Sequence, residues 1–107
     1  MAHLVLGWEL GNGMGHIMPL RMMAEVLLQR GHKLSFVVRD VSAAQRALQG
    51  LPVSWVQAPI VIYQPWELTR TDCYSQLLGN IGFGDKDKLM ATVTGWRSLL
   101  SSLRPDA

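Results

Sequence analysis

The stretch Gly11-Asn12-Gly13-Met14-Gly15-His16-Ile17-Met18-Pro19-Leu20 follows a short apolar run, Leu4 to Trp8, and opens a segment, Ile17 to Arg30, whose apolar residues recur at helical spacing. A glycine-rich turn between a strand and a helix lets the backbone pass close to a ligand, because glycine accepts positive φ and carries no side chain to block approach. The helix start behind it leaves N–H groups unpaired and a partial positive charge, which suits a phosphate or another oxyanion. His16 is the one residue in the stretch able to move a proton near neutral pH.

The flanking patterns predict an α/β chain. Ile17, Leu20, Met23, Ala24, Leu27 and Leu28 share a helical face, Pro19 suits the first turn, and Gly31 follows the end. Lys33 to Val38 predicts a second strand. Ser42 is the expected cap of a helix from Ala43 to Gln49, and Val53 to Val56 alternates as a third strand. Tyr74, Leu77, Leu78 and Ile81 predict a short helix before Gly82-Phe83-Gly84. Asp85 is the expected cap of a last helix carrying Leu89, Val93, Trp96, Leu100 and Leu103, which Pro105 ends. Strands alternating with helices imply a parallel sheet with right-handed crossovers, here a Rossmann-like three-layer arrangement, incomplete at three strands and a C-terminal helix. The first strand of a doubly wound sheet lies between the second and the fourth, and Pro105-Asp106-Ala107 reads as the approach to that fourth strand. Without it, Leu4 to Trp8 is expected to be an apolar edge open to another strand.

Composition narrows the function classes. The 107 residues suffice for one small domain, and 49% hydrophobic with 17% charged residues describes a core-forming sequence. A net charge of +2 with scattered Lys and Arg gives no footprint for nucleic acid. The single cysteine, Cys73, excludes an internal disulfide and lacks local metal-ligand spacing. No apolar stretch approaches the about 18 residues of a membrane span, so a cytoplasmic protein without metal or cofactor is expected.

Three glycines can also make nothing more than a tight turn. A dinucleotide fingerprint needs a third glycine two residues past the G-x-G pair, where this chain has Gly11-x-Gly13-x-Gly15-His16. Asp40, after the second strand, still offers a carboxylate for a ribose, which keeps a small dinucleotide-binding domain as an alternative. A Walker loop is excluded, since no Gly-Lys-Ser/Thr occurs. Trp55, Trp66 and Trp96 are core residues by default, with Trp66 a candidate for an acceptor pocket because it lies in the aperiodic stretch from Ala58 to Asp72. His32 is expected to serve the helix end and His3 to lie on the surface.

Gly13-Met14-Gly15-His16-Ile17-Met18-Pro19-Leu20, followed by Leu27-Leu28-Gln29-Arg30-Gly31-His32-Lys33-Leu34-Ser35-Phe36, resembles the amino-terminal signature of GT-B glycosyltransferases. The nearest likeness is to the UDP-glucosyl and glucuronosyl transferases and to the lipid-linked N-acetylglucosaminyltransferase of peptidoglycan synthesis, and it covers residues 3 to 40. The resemblance implies that residues 1–107 form part of an acceptor-side domain of an inverting enzyme, which moves a hexose from a nucleotide sugar to a small-molecule or lipid-linked hydroxyl acceptor. It makes His16 the general base and Gly13, Met14 and Gly15 the residues facing the acceptor or its phosphate. It puts the nucleotide sugar on a second domain and the aspartate that orients the histidine beyond Asp106, so these residues alone are expected not to transfer sugar. The expected partners are the missing carboxyl-terminal half or, in the competing reading of a non-catalytic interaction module, a strand paired along the first-strand edge.

Overall fold

The computed structural model describes residues 1–62 and 70–107. Trp66 and the rest of residues 63–69 in the aperiodic stretch lie outside these residues. The elements are β1 (His3–Gly7), α1 (Ile17–Gln29), β2 (Lys33–Val38), α2 (Val41–Ala47), β3 (Ser54–Gln57), α3 (Tyr74–Leu78) and α4 (Lys86–Leu103). A π-type turn at Gly79–Phe83 follows α3, and Gly82 takes a φ of +101° within it, a conformation that favours glycine. The chain divides into two compact units, residues 1–58 with 100–107 and residues 59–99.

The first unit is α/β. Its three strands are parallel in the order β1-β2-β3, with Leu4 opposite Leu34, Leu6 opposite Phe36 and Phe36 opposite Trp55. Alternate residues of the central strand, Leu34, Phe36 and Val38, enter a core completed by Ile17 and Ala24 of α1 and by Ala43, Ala44 and Ala47 of α2. Leu20, Leu27 and Leu28 pack half-buried against it, as their helical spacing requires. Met23 departs from the expected face and is 51% exposed. At 3.6 residues per turn it stands roughly 90° from the centre of that face. Arg21 ties the two helices together, donating from Nη1 to the carbonyls of Ala47 at 2.7 Å and Gln49 at 2.8 Å, where α2 ends.

Asp40, rather than Ser42, caps α2, and the helix begins at Val41. The extended backbone at Asp40 brings Oδ1 within 2.9 Å of the Ser42 N–H and 3.1 Å of the Ala43 N–H, and the Ser42 hydroxyl donates to the same oxygen at 2.7 Å. These bonds, the Ser42 hydroxyl first, hold the Asp40 carboxyl below the usual carboxylate range, and Arg46 adds to the effect. Because the folded state lowers the pKa, this cap contributes stability above the unfolded value of about 3.9 and loses it as pH falls through the folded value. Asp40→Asn, which keeps the acceptor but cannot titrate, is therefore expected to flatten the acid arm of stability against pH. Urea midpoints across the acid range check this, and an unchanged acid arm would remove Asp40 from the linkage.

The outer edge of β1 is not left empty. Ala107 accepts from the Val5 N–H at 2.8 Å and donates to the His3 carbonyl at 3.4 Å, the exchange made by parallel neighbours, while the Asp106 N–H reaches the same carbonyl at 2.7 Å. The Asp106 carboxylate accepts the His3 N–H at 2.7 Å. Arg104, at a φ of +48°, turns the chain out of α4 and Pro105 follows. The expected open edge is thus covered from His3 to Val5, by the residues that the sequence pattern reads as the approach to a fourth strand. In the second unit Asp85 caps α4 as expected, accepting from Asp87 at 2.9 Å and Lys88 at 3.1 Å.

Several side chains differ from expectation. Trp55 packs half-buried against the core and Trp96 is half-buried, while among the described tryptophans the fully buried one is Trp8, at 3% exposure. His3 is half-buried rather than on the surface, with Nε2 2.8 Å from the hydroxyl of the buried Ser35. The His32 ring accepts the Ala2 N–H at Nδ1, 3.1 Å away, and so holds the start of β1, while its backbone N–H serves the end of α1, donating to the Leu27 carbonyl at 3.2 Å.

Candidate functional site

The loop between β1 and α1 is built by Trp8. Its backbone N–H extends the pairing of β1 with β2, donating to Val37 at 2.8 Å, and its side chain is buried. The indole N–H is shared between the carbonyls of Leu10 at 3.0 Å and Gly11 at 3.2 Å. Arg39, at the end of β2, adds a second strap, donating from Nη1 to the Glu9 carbonyl at 2.9 Å. A loop whose carbonyls are held by two buried or half-buried donors is preorganised before any ligand arrives.

Two of the three glycines are required by the backbone. Gly11 has a φ of +88° and Gly13 a φ of +79°, both in the left-handed region. Gly15 has no such φ, and a side chain at its Cα would meet nothing within contact distance. That position has room for an incoming group. Met14 differs again, because its side chain packs half-buried on the core and anchors the loop, while its carbonyl receives the Met18 N–H at 3.1 Å to start the helix.

His16 occupies the N-cap position of α1, with φ −94° and ψ −35°, and its side chain makes no capping bond. The imidazole is exposed. One face lies along the Trp8 indole, ring centroids 6.5 Å apart and planes within 16°, and the Nε2 edge rests over Gly11. Among the described residues no carboxylate bonds to the ring, so packing and not a hydrogen bond fixes its place.

The structure therefore brings Gly13, Met14, Gly15 and His16 together at the carboxyl end of β1. Asp40 stands at the same end of the sheet, after β2, but its Oδ1 is committed to the α2 cap. The sequence pattern marks Gly11 only as part of the glycine turn and gives no role to Trp8 or Arg39, yet all three arrange the loop. The available signal was the position of Trp8, the last residue before the glycines and the one large ring next to them. Cys73 stands apart, at the start of the five-residue α3, with its thiol held below the usual range by the Ser75 hydroxyl and then the Gln76 N–H. Among the described residues no three His, Cys, Asp or Glu side chains gather as a metal site, and no helix is long and apolar enough to cross a membrane. Comparison of the chain with family models, with curated proteins and with solved structures gives no match.

Proposed function

We propose that these residues form the acceptor-binding side of an inverting glycosyltransferase, with His16 as the base that takes the proton from the acceptor hydroxyl. The observation that carries the reading is an exposed imidazole at a preorganised glycine loop on the carboxyl end of β1. Two further features support it. In open parallel sheets, ligands bind outside the carboxyl ends of the strands, where neighbouring connections run in opposite directions. With β2 on one side of β1 and Asp106-Ala107 on the other, the glycine loop stands at such a point. The residues from Gly13 to Leu20 also carry the likeness to GT-B enzymes.

The proposed chemistry uses His16 as a neutral imidazole that accepts a proton as the hydroxyl oxygen attacks the sugar carbon, the leaving nucleotide departing from the opposite face. General-base assistance of this kind is worth about a hundredfold to ten-thousandfold in rate. The nucleotide sugar is a co-substrate held by a domain outside these residues, so sugar transfer by residues 1–107 alone is not part of the proposal.

Acceptor binding is the part that this chain can be asked to perform. A fluorescence titration with 4-methylumbelliferone, a lipophilic hydroxyl probe, is expected to show saturable binding that Gly15→Leu abolishes. A Cβ at Gly15 meets nothing within 4 Å and the backbone is not left-handed, and circular dichroism of the variant checks that the fold is retained. Equal binding by wild type and Gly15→Leu would remove the loop from the acceptor site. Saturable NADH binding weakened by Asp40→Ala would favour the dinucleotide reading instead.

A further inference from the structure

We propose that Gly11 and Trp8 are positioning residues for His16, forming a seat that fixes the imidazole by shape in the absence of a hydrogen-bonding carboxylate. The inference rests on the reading of His16 as the proton acceptor, and it concerns what holds the ring rather than what the ring does.

Three observations converge on the seat. A methyl group built on Gly11 would overlap the His16 ring, meeting Nε2 first and then Cδ2 and Cε1, so the ring edge can lie where it does only because residue 11 has no side chain. Trp8 presents its indole to the imidazole with planes within 16°. The same indole donates to the Gly11 carbonyl at 3.2 Å, so one side chain both backs the ring and fixes the residue beneath it. A base that must meet a hydroxyl within hydrogen-bond reach loses rate when its ring wanders, because proximity and orientation supply much of the acceleration. The ring makes no hydrogen bond among the described residues, and its Nε2 edge is the one packed over Gly11.

The neighbouring glycine provides the control. Gly13 has nearly the same backbone conformation, φ +79° against +88°, but a methyl group there would meet nothing. Gly11→Ala and Gly13→Ala therefore carry the same left-handed strain and differ in the collision with His16. Two readouts follow the ring without requiring activity: the imidazole proton shifts of His16 in NMR spectra, and its rate of carbethoxylation by diethyl pyrocarbonate, mapped by mass spectrometry. Gly11→Ala is expected to move the His16 signals and change its modification rate severalfold, while Gly13→Ala leaves both near wild type.

Like behaviour of the two variants would overturn the proposal, as would a Gly11→Ala protein with wild-type His16 signals. Should Gly11→Ala unfold the chain while Gly13→Ala does not, adding His16→Ala decides the matter. Recovery of folding in the double variant supports the seat, and persistent unfolding overturns it. Failure of the acceptor probe to bind would strike the proposed function and leave these readouts untouched.

Discussion

Phe36→Ala is expected to lower the unfolding free energy by about 3 to 5 kcal/mol, the range for removing a buried aromatic side chain. Phe36 is fully buried on the central strand, flanked in register by Leu6 of β1 and Trp55 of β3, and it shares the core with the alanines of α2 and Ala24 of α1. Alanines that let a helix sit close to the sheet cannot move in to fill the space, so the cavity term stays close to its full size. Since small domains have a total stability of about 5 to 15 kcal/mol, the variant would lose a large share of it. Urea unfolding followed by circular dichroism measures the loss. A change under about 1 kcal/mol would contradict the placement of Phe36 at the centre of the core.

Trp8→Ala is expected to cost a similar amount, about 3 to 5 kcal/mol, and to do so with a different local signature. Trp8 is 3% exposed and belongs to the same core, but its indole N–H also holds the carbonyls of Leu10 and Gly11. Trp8→Phe separates the two contributions. It keeps most of the apolar burial and loses the shared donor, whose net worth is about 0.5 to 1.5 kcal/mol. Both variants are expected to speed amide hydrogen exchange in residues 10–16, with the sheet protected in Trp8→Phe. Unchanged exchange in the loop of either variant would mean that the indole does not organise it.

Much of the first unit was legible in the sequence because its signals are local. The apolar run from Lys33 to Val38 matches β2, and the spacing from Ile17 to Leu28 gives α1 to within a residue. In the second unit the start of α4 is equally legible, at Asp85, and Pro105 follows its end. What the sequence concealed depends on geometry. Asp40 and Ser42 are both good cap residues, and only the extended backbone at Asp40 decides between them. Met23 satisfies an i, i+3 rule on paper yet lies on the flank of its helix. Trp8 reads as the end of a strand, but its side chain, turned under the glycines, organises the loop.

The same contrast holds for the site. Glycines beside a histidine announce a turn and a proton carrier, and the turn and the exposed imidazole are both present. The spacing G-x-G-x-G does not tell which glycine serves the backbone, which clears space for a ring, and which stays open. In the structure Gly13 does the first, Gly11 the first and second, and Gly15 the third. Packing between residues three to five apart separates these roles, and no periodicity encodes it.

Acceptor binding at the glycine loop is tested by an amide-resolved NMR titration of the chain with 4-methylumbelliferone, followed through the backbone signals of residues 11–17. Saturable shifts concentrated at Gly13, Met14, Gly15 and His16 are expected, absent in Gly15→Leu and not reproduced by NADH. Shifts elsewhere with a silent glycine loop, or an NADH response centred on this loop and Asp40, would contradict acceptor binding at the loop.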